Sequence, residues 1–125
     1  MQAVILAAGE GKRVRPLTRS RPKPMIPIAN RPILEYPINA LRENGIREIC
    51  VVVGYRKEQV LRYLNAQDLS FDVVVQEKQI GTAHALKCAE PFIHGDFLLV
   101  PGDNYIRQKG AILYKFRPSA GRVHR

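Results

Sequence analysis

The sequence predicts an α/β domain in which helices flank a parallel sheet, and two observations carry that prediction. Short, continuous apolar runs rich in branched residues suit strands covered on both faces. Segments of helical periodicity separate those runs, as expected when each strand is followed by a crossover helix. A chain of 125 residues is one domain at most and long enough to bury a real core.

The elements follow in order. Ala3 to Ala7 is the first strand-like run. Pro32 to Asn44 places Ile33, Leu34, Ile38 and Leu41 on one helical face, with Pro32 suited to the first turn and Gly45 to the stop. Pro37 falls inside that pattern and removes a backbone donor, which predicts a kink. Glu48 to Val53 is the second strand, and Lys57 to Leu64 a helix carrying Val60, Leu61 and Leu64. Phe71 to Val75 is the third strand. Thr82 to Glu90 is a helix with Ala85, Leu86 and Ala89 inward, Thr82 as its cap and Pro91 as its stop. Asp96 to Val100 is the fourth strand.

Composition narrows the function classes. The apolar runs are too short to span a bilayer, and the N-terminus reads as a strand, not a signal peptide. Cys50 and Cys88 resemble small buried hydrophobes, with no spacing for a disulfide framework or zinc site. A cytoplasmic protein is expected. The net charge of +9 is unevenly placed. Lys12, Arg13, Arg15, Arg19, Arg21 and Lys23 form one cluster. Arg107, Lys109, Lys115, Arg117, Arg122 and Arg125 form another in an acid-free tail. Such fields attract nucleoside triphosphate, nucleic acid or an acidic surface, and composition alone does not choose among them.

In open parallel sheets ligands bind at the carboxyl ends of the strands. Chemistry is therefore sought in the loops after runs one, three and four. The first reads Leu6-Ala7-Ala8-Gly9-Glu10-Gly11-Lys12-Arg13-Val14-Arg15-Pro16 and leads to Arg21-Pro22-Lys23-Pro24. Glycines directly after a strand let peptide N–H groups approach a phosphate chain. A Walker loop is excluded because position 6 is Leu and Arg13 follows Lys12. A dinucleotide fingerprint is excluded because position 14 is Val. What remains, a Gly loop backed by Arg13 and Lys23, suits a nucleotide whose α-phosphate is attacked between two cations.

The second loop runs from Gln76 to Thr82. A Gln side chain carries donor and acceptor and can pair with the N3–H and O4 edge of uracil or thymine. Gly81 lets backbone approach a base or ribose. Taken singly, Gln76 is equally a polar strand end, and Thr82 a helix cap. His84, on the following helix, reads as structural. The third loop, Gly102-Asp103-Asn104, offers one carboxylate at a strand end, which can hold Mg²⁺ together with substrate phosphates. The same residues are also a common turn pair.

Together, Leu6 to Met25 resembles the signature of the sugar-phosphate nucleotidylyltransferases, Gly-x-Gly-Thr-Arg-x-x-Pro followed by a Pro-Lys pair. Gly9, Gly11, Arg13, Pro16 and Lys23 fit, whereas Lys12 stands where Thr is commonest. The Gln76 to Ala85 stretch resembles the uridylyl members of the UDP-N-acetylglucosamine and UDP-glucose pyrophosphorylase type. The resemblance implies a Rossmann-like fold with strand order 3-2-1-4. It implies that Leu6, Ala8, Gly9, Gly11 and Lys12 line the nucleotide, that Arg13 holds triphosphate, and that Lys23 bridges nucleotide and sugar phosphate. Gln76 would read the base, Gly81 and Thr82 close the pocket, and Asp103 carry Mg²⁺.

The resemblance covers residues 1 to about 104, read as the nucleotide-binding part. Residues 105–125 read as a basic tail with no assigned structure. Family members continue into a sugar pocket and a second metal ligand that this sequence does not show. The chain therefore reads as truncated, expected to bind a pyrimidine nucleoside triphosphate (UTP or dTTP) and to turn over sugar 1-phosphate little or not at all. A non-catalytic nucleotide-binding or regulatory module is the alternative. Nucleic-acid binding is disfavoured, because there is no Trp and no Tyr or Phe lies within the first basic cluster. No membrane partner is expected, and a homo-oligomer is left open.

Overall fold

A computed structural model describes residues 1–8, 21–78 and 80–102, and the backbone of 114–116. The elements are β1 (Gln2–Ala7), β2 (Pro27–Ile28), β3 (Arg31–Pro32), α1 (Glu35–Glu43), β4 (Glu48–Val53), α2 (Lys57–Asn65), β5 (Phe71–Val75), α3 (Thr82–Ala89), β6 (Phe97–Pro101) and β7 (Tyr114–Phe116). One sheet runs β5-β4-β1-β6-β7. Its first four strands pair in parallel, with Val4 opposite Cys50 and Leu99. The four apolar runs thus take the expected order 3-2-1-4.

Alternation along the strands feeds two cores, because successive side chains point to opposite faces. Ala3, Ile5 and Ala7 of β1, with Ile49, Val51 and Val53 of β4, pack against Leu34 at the start of α1, Ile38 and Leu41 within it, and Val60 and Leu64 of α2. Val4, Cys50 and Val52 pack the other way, against Ala85 and Ala89 of α3 and Phe97 of β6. The central strands are buried on both faces, which explains their unbroken apolar sequences.

Local details depart from the sequence expectations. Pro32 does not open α1. It pairs with Pro27 in a small antiparallel hairpin whose two-residue turn, Ala29-Asn30, is left-handed at both positions (φ 53° and 67°), as a type I′ turn requires. Helix α1 starts at Glu35, so Pro37 lies in the first turn. N–H groups there have no intrahelical partner, and the expected cause of a kink is absent. The helix does stop at Gly45. Gly45 N–H bonds Arg42 O at 3.0 Å, and Ile46 N–H bonds Leu41 O at 2.9 Å, the paired bonds of a Schellman ending.

Thr82 is the first residue of α3, not its cap, a place taken by Gly81 with no side-chain capping bond. Pro91 does not end the run abruptly, because Glu90–Phe92 continues as one 3-10 turn. Strand β7, antiparallel to β6 with Tyr114 opposite Leu99, was not anticipated.

Candidate functional site

The carboxyl end of β1 is the meeting point of three connections. Ala8 O accepts the Tyr55 N–H at 3.0 Å, and Leu6 O accepts the Gly102 N–H at 2.8 Å. The turn after β4 and the turn after β6 are thereby tied to either side of the strand that leads into the Gly loop. Residue 102 must be glycine for this approach. A Cβ there would stand 2.8 Å from Leu6 O and 3.1 Å from the Ala7 Cβ, and the closer atom is backbone. Leu6 lies near the carboxyl end of β1 and Ala8 follows it, buried.

The turn after β4 has its own constraint. Arg56 precedes α2 in a left-handed conformation (φ 50°), and its guanidinium lies over the Tyr55 ring while Nε donates to the Tyr55 hydroxyl at 3.2 Å.

Gln76 extends β5 past its last ladder residue. Its N–H donates to Val53 O at 2.8 Å, which holds it at the carboxyl end of β4 as well. Although polar, it is only 3% exposed, so its amide needs partners. Nε2 donates to Gly81 O at 3.2 Å and lies 3.0 Å from His84 Nδ1. A carbonyl only accepts, so Gly81 fixes which end of the amide is nitrogen. Nδ1 of His84 is then an acceptor. Among the described residues, Oε1 of Gln76 has no hydrogen-bond partner.

Gly81 makes this contact possible. Its φ of 103° with ψ of 171° belongs to a region that essentially only glycine occupies. The same carbonyl accepts the Ala85 N–H at 3.1 Å, the first bond of α3. The base-reading role expected of Gln76 called on both a donor and an acceptor. In this structure both Nε2 hydrogens point at protein partners, and Oε1 is left without one among the described residues. Thr82 is exposed beside Gly81.

Lys23 belongs to the opposite helical layer. It opens a 3-10 turn, Lys23–Met25, whose Pro24 O accepts the Leu34 N–H at 2.8 Å and whose successor Ile26 bonds Ile33 through its carbonyl at 3.0 Å. The turn is pinned to the start of α1, and Met25 packs on the α1/α2 core. Gly9, Gly11, Lys12, Arg13 and Pro16 lie outside the described residues, as does Asp103, which follows Gly102 directly. Among the described residues no group of three or more His, Cys, Asp or Glu could hold a metal, and no helix is long and apolar enough to cross a membrane.

Sequence reading assigned His84 only a structural place and did not connect it to Gln76. The separation of eight residues across a glycine turn gives no periodic signal. The contact exists because Gly81 reverses the chain between strand and helix.

Comparison with known proteins gives a concordant result. A family model described as nucleotidyl transferase matches residues 2–122. The bifunctional protein GlmU of Methanococcus maripaludis (strain C5) is 50% identical over 103 residues, covering 82% of this chain and 25% of that protein. The UTP–glucose-1-phosphate uridylyltransferase AglF of Haloferax volcanii is 42% identical over 106 residues, covering 83% of this chain and 44% of that one. Among solved structures, the CTP:phosphocholine cytidylyltransferase of Streptococcus pneumoniae (LicC) superimposes with a TM-score of 0.78 at 32% identity, covering 87% of this chain and 47% of that one. The chain spans 25% of the GlmU relative and less than half of the other two.

Proposed function

Because the chain belongs to the nucleotidyl transferase family, we propose that it forms the nucleotide-binding part of a sugar-1-phosphate nucleotidylyltransferase using a pyrimidine nucleoside triphosphate. The observation that carries the reading is Gln76. It is a buried amide at the carboxyl edge of the sheet, with its nitrogen committed to protein and its oxygen without a partner among the described residues. Uracil and thymine offer N3–H to such an acceptor. The names of AglF and of a Streptomyces griseus thymidylyltransferase relative agree with a uridylyl or thymidylyl donor, whereas LicC is a CTP:phosphocholine cytidylyltransferase.

In the proposed reaction an oxygen of the sugar 1-phosphate attacks the α-phosphorus in line. The new P–O bond forms as the bond to the β-phosphate bridging oxygen breaks, and pyrophosphate leaves. Peptide N–H groups around Gly9 and Gly11 cradle the phosphates, while Arg13 and Lys23 offset the charge that develops at the reacting phosphoryl group. No protein nucleophile takes part. Asp103 fits Mg²⁺, an ion that binds through one or two carboxylates plus phosphate oxygens, and Gly102 ties the start of that turn to β1. Bound there, the ion would supply Lewis-acid polarisation of the phosphate.

Pyrophosphate release from UTP, dTTP and CTP with several sugar 1-phosphates tests this reading, alongside Mg²⁺-dependent binding of each nucleotide. Saturable pyrimidine nucleotide binding supports the nucleotide site, and pyrophosphate release extends it to catalysis. The same release would remove the alternative of a binding-only regulatory module. Tight, steeply salt-dependent binding to nucleic acid without nucleotide competition would overturn the proposal.

A further inference from the structure

Gln76 does not set its own orientation. Gly81 O takes one hydrogen of its amide nitrogen, and His84 Nδ1, at 3.0 Å, stands where it takes the other. With both hydrogens committed, the amide cannot swing to present nitrogen outward without leaving an acceptor of α3 unpaired. His84 is held in turn by its place one helical turn before Cys88, whose Sγ lies 3.9 Å from the same Nδ1, and by Ala85 beside it in the α3 core.

We infer that His84 is a specificity-determining positioning residue, whose Nδ1 locks Gln76 as an acceptor toward the base and so favours uracil or thymine over cytosine. The inference rests on the base-reading role proposed for Gln76. Uracil and thymine carry a hydrogen on N3, flanked by two carbonyls. Cytosine carries a bare lone pair at N3. An oxygen fixed opposite N3 bonds the first two and opposes the third. Loss of the His84 acceptor loosens the amide, lets nitrogen turn toward cytosine N3 and narrows the discrimination. His84 itself touches no substrate in this scheme.

The test measures UTP and CTP affinity of the wild-type chain, of His84→Leu and of His84→Asn, whose Oδ1 stands in for Nδ1. The wild type is expected to prefer UTP. His84→Leu should reduce the ratio of CTP to UTP dissociation constants by about fivefold, the worth of one neutral hydrogen bond, and His84→Asn should restore most of it. A merely structural role would weaken both nucleotides alike. If the wild type prefers UTP and His84→Leu keeps the same ratio, the inference fails while the proposed function stands. If the wild type shows no preference for UTP, the inference fails together with the base-reading role proposed for Gln76, and pyrimidine nucleotide binding alone still supports the nucleotide site.

A second measurement needs no variant. Imidazole nitrogen resonances of the wild type should show His84 with hydrogen on Nε2 and none on Nδ1. Hydrogen on Nδ1 of the neutral ring would overturn the inference.

Discussion

Gly102 donates its N–H to Leu6 O at 2.8 Å, and a Cβ on residue 102 would lie 2.8 Å from that same oxygen. The clash is with backbone of the central strand, so no side-chain rotation relieves it. Gly102→Ala is expected to lose about 2 kcal/mol of stability in urea unfolding, in the range of other overpacked sites. Because Asp103 follows directly, the Mg²⁺ dependence of nucleotide binding should weaken in the same variant.

Gln76→Leu removes the donor that satisfies Gly81 O and His84 Nδ1 within a buried setting. Gly81 O keeps its bond from the Ala85 N–H, so it is the His84 nitrogen losing its Gln76 donor that should cost about 1–3 kcal/mol by chemical unfolding. UTP should then bind no better than CTP in a direct titration.

Lys23→Ala and Arg13→Ala each remove a cation assigned to the phosphates. Each should raise the UTP dissociation constant about tenfold or more, as expected for a charge-assisted contact, with no loss of preference for UTP over CTP. The salt dependence of binding should become shallower in both. Equal affinity in either variant would remove that residue from the site.

Burial, with a smaller contribution from Asp72, pushes the Cys50 thiol up from 9.0 to about 11. The folded chain therefore holds that proton more tightly than the unfolded one. The resulting stabilisation is complete below about pH 9 and is lost as pH rises toward about 11. Tyr63, pushed up first by burial and then by Glu35, extends the loss to more alkaline pH. Unfolding midpoints measured from about pH 7 to about pH 11 should fall above pH 9. Cys50→Ala should flatten the part of that decline belonging to the thiol.

The central sheet was legible because its strands are buried on both faces, so Ala3 to Ala7 and Ile49 to Val53 spell themselves out as unbroken apolar runs. Pro32 misled because a two-residue strand is too short to show a period, and a proline before an apolar stretch looks like a helix start. Thr82 misled for a related reason. The cap depends on the backbone of Gly81, not on a hydroxyl. At the site, Gln76 was legible as a polar residue closing a strand. The commitment of its nitrogen was not, since that follows from a glycine turn and a histidine on the next helix. Strand β7 lies in a run whose basic composition masks a short antiparallel pairing.

Nucleotidyl transfer by this fold requires that loops from three strand ends meet on one triphosphate. Titrating isotope-labelled protein with Mg²⁺ and UTP, and following amide resonances residue by residue, tests this most directly. Gly9, Gly11, Lys23, Gly81, Asp103 and the Gln76 side chain are expected to shift together along one saturation curve. Saturable shifts that leave Gln76 and Lys23 unmoved, or that follow separate curves at separate places, would contradict it.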